Sequence, residues 1–272
     1  MDTKREERRP IPVGEADARA VEETARRAGE LALRYFHARA ELAVGEKGHL
    51  DLVTQADVEV ERYLTESLRR LFPQDGVYGE EGDDIASASG RLWVIDPIDG
   101  TFNYVRGGQD WAVSVGLYEG GEPVFGVVYV PVSGQLFSGG RSVPSRQNGQ
   151  EMKRVPAFTV SKGSVELGVH PSVPTDKRVE LLRFVSDELR AAFRCCGSAT
   201  VSLLKVATGE ADGYLALGDA TWDVMAAMAI LRNLGAGSTI DWKRTRLPDK
   251  LWYACGGEAF LQETRSFVMG LR

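Results

Sequence analysis

Trp93-Val94-Ile95-Asp96-Pro97-Ile98-Asp99-Gly100-Thr101 is an apolar run that ends in two carboxylates three residues apart. Leu92 to Ile95 is apolar and partly β-branched, the composition of a buried strand. The strand is expected to stop where the acids begin. Pro97 fixes its own φ, and Gly100 permits a tight turn. Two carboxylates this close repel each other and are costly to hold at a strand end. A divalent cation would remove that cost. Oxygen-only ligands on a sharp turn suit Mg²⁺, which takes one or two carboxylates plus water and phosphate oxygens. Asp, Pro and Gly are also the ordinary material of surface turns, so other parts of the chain must decide between the two readings.

Two further acidic clusters bear on the choice. Gly79-Glu80-Glu81-Gly82 follows the short apolar piece Val77-Tyr78, and Trp222-Asp223 opens an apolar helical run, Val224 to Leu234. Each has a plain explanation of its own, a solvated loop for Glu80 and Glu81 and an N-cap for Asp223. Together they place three acidic clusters at the mouths of regular elements, as an oxygen-ligated metal site drawn from distant parts of a chain requires.

With these residues in place, the chain resembles the inositol monophosphatase family, Mg²⁺-dependent and Li⁺-sensitive phosphomonoesterases. Gly79-Glu80-Glu81, then Asp96-Pro97-Ile98-Asp99-Gly100-Thr101 with Asn103, then Trp222-Asp223, are similar to the family's signature motifs. Asp51-Leu52-Val53-Thr54 with Asp57 resembles its N-terminal motif, and Gly197-Ser198-Ala199 its substrate loop. The resemblance runs from about Lys47 to Cys255. It implies a layered αβαβα fold of the sugar-phosphatase type. It also implies two to three Mg²⁺ ions, held by Glu80, Asp96, the Ile98 carbonyl, Asp99 and Asp223, with Asp96 as the bridging ligand. Thr101, oriented by Asp51, looks like the family's water-positioning pair, and with Glu80 these make the expected catalytic set. Glu81 is expected to support the ligands from behind. Gly100, Thr101, Asp99, Gly197, Ser198, Ala199 and Asp223 are the expected substrate contacts. Lys47 is either a phosphate-attracting group or a surface lysine.

The expected activity is hydrolysis of small phosphate monoesters by a metal-activated water, in the manner of an inositol-1-phosphate phosphatase. Phosphate monoesters hydrolyse very slowly in water, and two ions can hold the attacking and leaving oxygens together. One departure from the family concerns the alcohol. Many inositol-selective members carry an acid seven positions before the Trp-Asp aspartate; here that position is Ala216, with Asp219 three residues later. Asn103-Tyr104-Val105-Arg106-Gly107 resembles the histidinol-phosphate phosphatase branch, which is the alternative activity. A protein-binding role, including binding to the transcription machinery, is the alternative from another class.

Composition agrees with a folded, water-soluble chain. Of 272 residues, 43% are hydrophobic and 26% charged, ordinary values for a globular protein. The net charge of −6 argues against a nucleic-acid surface. No run approaches a membrane span, and the charged stretch Met1 to Pro10 is not a secretory signal but reads as a frayed tail. Three cysteines, two of them adjacent, make no disulfide framework, so a reducing cytoplasm is the expected compartment. The tryptophans at 93 and 222 and the cysteines at 195 and 196 read as packed residues.

Periodicity predicts helices over 15–42 and 57–72, with Gly45 and Gly48 ending the first. Strands are predicted over 111–118 and 124–130, joined at Gly120-Gly121, with a third at Leu136-Phe137. The second half alternates: strand 165–169, helix 176–190, strand 192–195, helix 200–208, strand 213–217, helix 223–234, strands 238–241 and 252–255, and a helix from Glu258. The chain is expected to divide into an N-terminal α+β subdomain, 1–155, carrying most metal ligands, and a C-terminal α/β subdomain, 156–272, carrying Asp223 and the substrate loop. A homodimer is expected, with the hairpin Trp111 to Val130 supplying an edge or face.

Overall fold

The computed structural model of the chain describes residues 13–39, 44–48, 51–82 and 84–271, and for residues 44, 46–48 and 51–53 it describes the backbone alone. The proposed tail, Met1 to Pro10, lies outside the described residues. The chain opens with α1 (Glu15–His37), a short antiparallel pair β1 (Val44–Gly48) and β2 (Asp51–Thr54), and α2 (Gln55–Leu71). Then come β3 (Gly76–Tyr78), β4 (Arg91–Asp99), the short helix α3 (Thr101–Arg106), β5 (Ala112–Glu119), β6 (Glu122–Val130), β7 (Gln135–Gly140), β8 (Val143–Gln147) and β9 (Gln150–Glu151). The remainder is β10 (Ser164–Val169), α4 (Thr175–Arg183), β11 (Ala192–Arg194), α5 (Ala199–Thr208), β12 (Gly213–Asp219), α6 (Thr221–Asn233), β13 (Gly237–Ser238), β14 (Leu251–Gly256) and α7 (Glu258–Leu271).

Seven strands form one sheet in sequential order, β3 to β9. Five form a second, in the order β11-β10-β12-β14-β13. Its first three strands are parallel, and β14 is antiparallel to β12. Three apolar clusters lie between the layers. Val21, Ala25, Ala28 and Ala32 of α1, with Val60, Leu64 and Leu68 of α2, pack on one face of the large sheet. The other face meets α5 and α6, whose far sides meet the small sheet through Tyr214, Ala216 and Tyr253. The outer face of the small sheet is covered by α4, α7 and Phe184. The stack is therefore αβαβα, each helix burying its apolar stripe against a sheet.

Several boundaries differ from the sequence reading. The helix predicted to reach residue 42 is described only to His37, and Gly45 and Gly48 lie in β1 rather than ending a helix. The second helix starts two residues early because Thr54 caps it, its hydroxyl accepting from Ala56 N at 3.1 Å. The predicted helix 176–190 divides into α4 and a π-helical turn, Phe184–Leu189, which ends at Arg190 in a left-handed conformation. There Phe184 stacks on Phe267 at 3.9 Å. The hairpin β5–β6 offers no open edge or face. Both strands are interior to the seven-stranded sheet and buried on both sides, which removes the structural argument for a dimer built on it.

Candidate active site

β4 does not stop before its acids; it runs through Asp99. Residues three apart in a regular strand point to opposite faces. Here Asp96 pairs with Ser114 and Asp99 with Ala112, so three steps on β4 match two on β5. The extra residue is a bulge, which restores Asp99 to the face of Asp96. Pro97, which has no N–H to give a ladder, is at home there. Gly100 then turns the chain at φ 94° into α3, and a Cβ at this position would stand 2.8 Å from the Asp110 carbonyl.

Asp223 arrives from the other half of the chain. It is the third residue of α6 rather than its N-cap, and its carboxylate accepts Ala220 N at 2.7 Å. Carboxylate oxygens of Asp96, Asp99 and Asp223 all lie within 4.8 Å of one another. Each carboxyl is pushed up from the ordinary range, first by burial. Glu80 and Asp99 raise Asp96 further, and Asp99, Asp219 and Glu80 raise Asp223. Asp99 is partly relieved by Ser198 Oγ, which donates to Oδ2, and by Thr200 N at 2.7 Å. Crowded hard oxygens at odds with their own charge are a donor set suited to a divalent ion such as Mg²⁺.

These acids form the floor of a cleft of about 370 Å³. Glu80, Ile98, Gly100, Thr101 and Gly197 also line it, as do Phe102, His170, Pro171, Trp222 and Lys250. Of the predicted substrate loop, Gly197 reaches the cleft. Ser198 instead caps α5 through Val201 N and ties down Asp99, and Ala199 is buried. Asn103 is structural: its amide donates to the carbonyls of Asp110 and Cys196, each at 2.8 Å. Trp93 is core as expected, but Trp222 is a wall of the cleft, beside the Tyr78 ring at 5.9 Å. Cys195 is exposed and Cys196 half-buried, just beyond β11, and all three cysteines are free thiols.

Thr101 Oγ1 lies 3.0 Å from the Ile98 carbonyl and 3.3 Å from Asp57 Oδ1. Its carboxylate partner among the described side chains is thus Asp57; the side chains of Asp51 and Lys47 lie outside the described residues. Asp57 is buried, and its other oxygen accepts Thr54 N at 2.8 Å. Burial pushes its carboxyl up to about 6, against the Thr54 hydrogen bonds. The signal for Asp57 was the capping box Thr54-x-x-Asp57. His170 and Lys250 had no local signal; they reach the cleft from the C-terminal end of β10 and the residue before β14.

The sequence model of the inositol monophosphatase family matches residues 15–265. An inositol-1-monophosphatase of Rhizobium meliloti is 34% identical over 219 residues, covering 78% of this chain and 81% of the relative. A Nus factor SuhB of Xylella fastidiosa is 32% identical over 229 residues, covering 82% and 81%. The crystal structure of the extragenic suppressor protein suhB from Bartonella henselae superposes with a TM-score of 0.85 at 26% identity, over 92% of this chain and 98% of that one.

Proposed function

Because the chain belongs to the inositol monophosphatase family, we propose that it is a Mg²⁺-dependent phosphatase acting on small phosphate monoesters. The observation that carries this reading is the convergence of Asp96, Asp99 and Asp223 within 4.8 Å on a cleft floor, beside the Thr101–Asp57 pair. Asp96, Asp99, Asp223, Glu80 and the Ile98 carbonyl are the groups that would hold the ions. An ion held there would neutralise charge on the phosphoryl group and acidify the attacking water. The Thr101 hydroxyl would orient that water and accept its proton while passing its own to Asp57, 3.3 Å away, a task suited to a carboxyl raised to about 6. The cleft walls hold the leaving alcohol and keep bulk water from the developing charge.

The same geometry bears on the alcohol. Ala216 is buried in the core, and the Asp219 carboxylate accepts the hydroxyls of Tyr214 at 3.0 Å and Tyr253 at 2.9 Å. Neither lines the cleft. Asp219 is therefore committed to the interior and does not stand in for the missing acid. With no such acid to be left unpaired by a wrong substrate, discrimination among alcohols is weak. We expect phosphate release from a broad panel including inositol 1-phosphate, histidinol phosphate and glycerol 2-phosphate. Activity should vanish with EDTA and fall with Li⁺ at limiting Mg²⁺. Full activity in EDTA would overturn the metal mechanism. A preference for inositol 1-phosphate above about a hundredfold, the scale of a strong specificity contact, would overturn the breadth. A second reading, a protein-binding role, is supported by the likeness to the relative named a Nus factor. It becomes the better reading if no monoester in the panel is hydrolysed.

A further inference from the structure

Glu61 stands one helical turn after Asp57 on the same face of α2 and is buried, yet it is outside the acid set of the cleft. Its Oε2 accepts Glu81 N at 2.8 Å. The amides of Glu80 and Gly82 also lower its pKa, against the rise that burial imposes. Three successive N–H groups turned toward one carboxylate form an anion nest. The fit is close. A Cβ at Gly79 would lie 2.5 Å from Glu61 Oε1, and so would one at Gly82. Neither glycine has a positive φ, so a side chain at either place would meet no backbone strain but would have to displace the Glu61 carboxylate from its hydrogen bonds. Gly79-Glu80-Glu81-Gly82 is thus a strap wound around Glu61, with Glu80 carried on it into the cleft.

We propose that Glu61 is a positioning residue for the metal site: its carboxylate fixes the strap so that Glu80 stands opposite Asp96 and Asp223. Glu80 comes from a loop, whereas Asp96 and Asp99 come from a strand and Asp223 from a helix, so the place of Glu80 depends on what holds that loop. Groups behind a ligand commonly change metal affinity by about 10- to 100-fold when removed. One turn of α2 then serves both sides of the reaction, Asp57 holding Thr101 and Glu61 holding Glu80.

The inference rests on the Mg²⁺ reading above, and the test separates the two. Glu61→Gln keeps the shape but turns an amide NH₂ toward backbone N–H donors. It should weaken Mg²⁺ binding, measured by isothermal titration, about tenfold. It should also raise the Mg²⁺ concentration for half-maximal activity while leaving kcat at saturating Mg²⁺ near the wild-type value. Gly82→Ala attacks the same contact from the other side and should weaken Mg²⁺ binding similarly. In a Glu61→Ala background, where the clash is gone, Gly82→Ala should cost nothing further. Wild-type Mg²⁺ affinity in Glu61→Gln, or additive effects in the double variant, would overturn the inference. So would a loss of metal-free melting temperature with an unchanged Mg²⁺ dissociation constant. If Glu61→Gln does not fold, the Mg²⁺ affinity of Gly82→Ala decides alone. A wild-type protein that binds no Mg²⁺ overturns the parent reading as well.

Discussion

Thr101 Oγ1 meets the buried carboxylate of Asp57 at 3.3 Å. The family resemblance assigns the orienting role to Asp51, whose side chain lies outside the described residues, and periodicity starts α2 at Asp57. The structure begins α2 at Gln55, with Thr54 as cap, and that shift turns Asp57 back toward Thr101. The pattern Thr54-x-x-Asp57 was legible as a cap; its second oxygen, free to serve Thr101, was not, because that contact joins residues 44 apart. Asp57→Asn should lower kcat by about 10²-fold or more, the usual contribution of a positioned acid or base, while Mg²⁺ binding persists. The sign of the pH effect follows from the raised pKa. The carboxylate must be ionised to take a proton, so wild-type kcat/KM should fall as pH drops through about 6. That acid limb should be missing in Asp57→Asn. A variant with wild-type rate and an unchanged profile would remove Asp57 from the reaction.

At the scale of elements, what the sequence hides is whatever depends on a partner strand. Leu92 to Ile95 read correctly as buried strand, but a bulge is a mismatch of count between two strands, and β4 alone carries no sign that β5 is one residue short. The edge of the small sheet holds a second such case. Glu166 on β10 is fully buried, and neither of its oxygens has a well-directed hydrogen bond. Its charge is met by Arg194 Nε of β11 at 3.0 Å and by Lys205 Nζ of α5 at 3.8 Å. Three elements thus share one buried anion that nothing in their separate periodicities announces. A wholly buried pair costs about 3–5 kcal/mol to break, but Arg194 is half-exposed and Lys205 remains, so Arg194→Met should destabilise by about 1 kcal/mol. Replacing both partners, Glu166→Leu with Arg194→Met, should restore much of that loss. Denaturant midpoints measure both. Equal stability in the Arg194→Met protein would show that Lys205 alone neutralises Glu166.

Across the whole molecule, alternation of strand and helix made the layered α/β class legible and the family resemblance supplied the αβαβα order; which segment joins which layer was not legible, because it rests on pairings between distant segments. α6 belongs to the second half of the chain yet lies against the first: a Cβ at Gly126 of β6 would stand 2.1 Å from the Ala226 carbonyl. Asp223 rides on α6, and Ser198 and Thr200 at the start of α5 hold Asp99. The acid cluster is therefore built where the middle helical layer meets the large sheet, and its charge strain is borne by the fold as a whole. Burial raises Asp96, Asp99 and Asp223, and it raises Asp219 to about 7. In the metal-free protein these groups bind protons more tightly folded than unfolded. Stability must then fall as pH rises from the unfolded carboxyl range, about 4, through the folded values. Mg²⁺ competes with those protons and removes the repulsion, so its stabilisation grows over the same interval. In EDTA the melting temperature should decline as pH rises from about 4 through about 7, while the increment from added Mg²⁺ should widen. A metal-free melting temperature that is flat or rising over that range would mean the carboxylates are already compensated by the protein, and the electrostatic argument for the ions would fail with it.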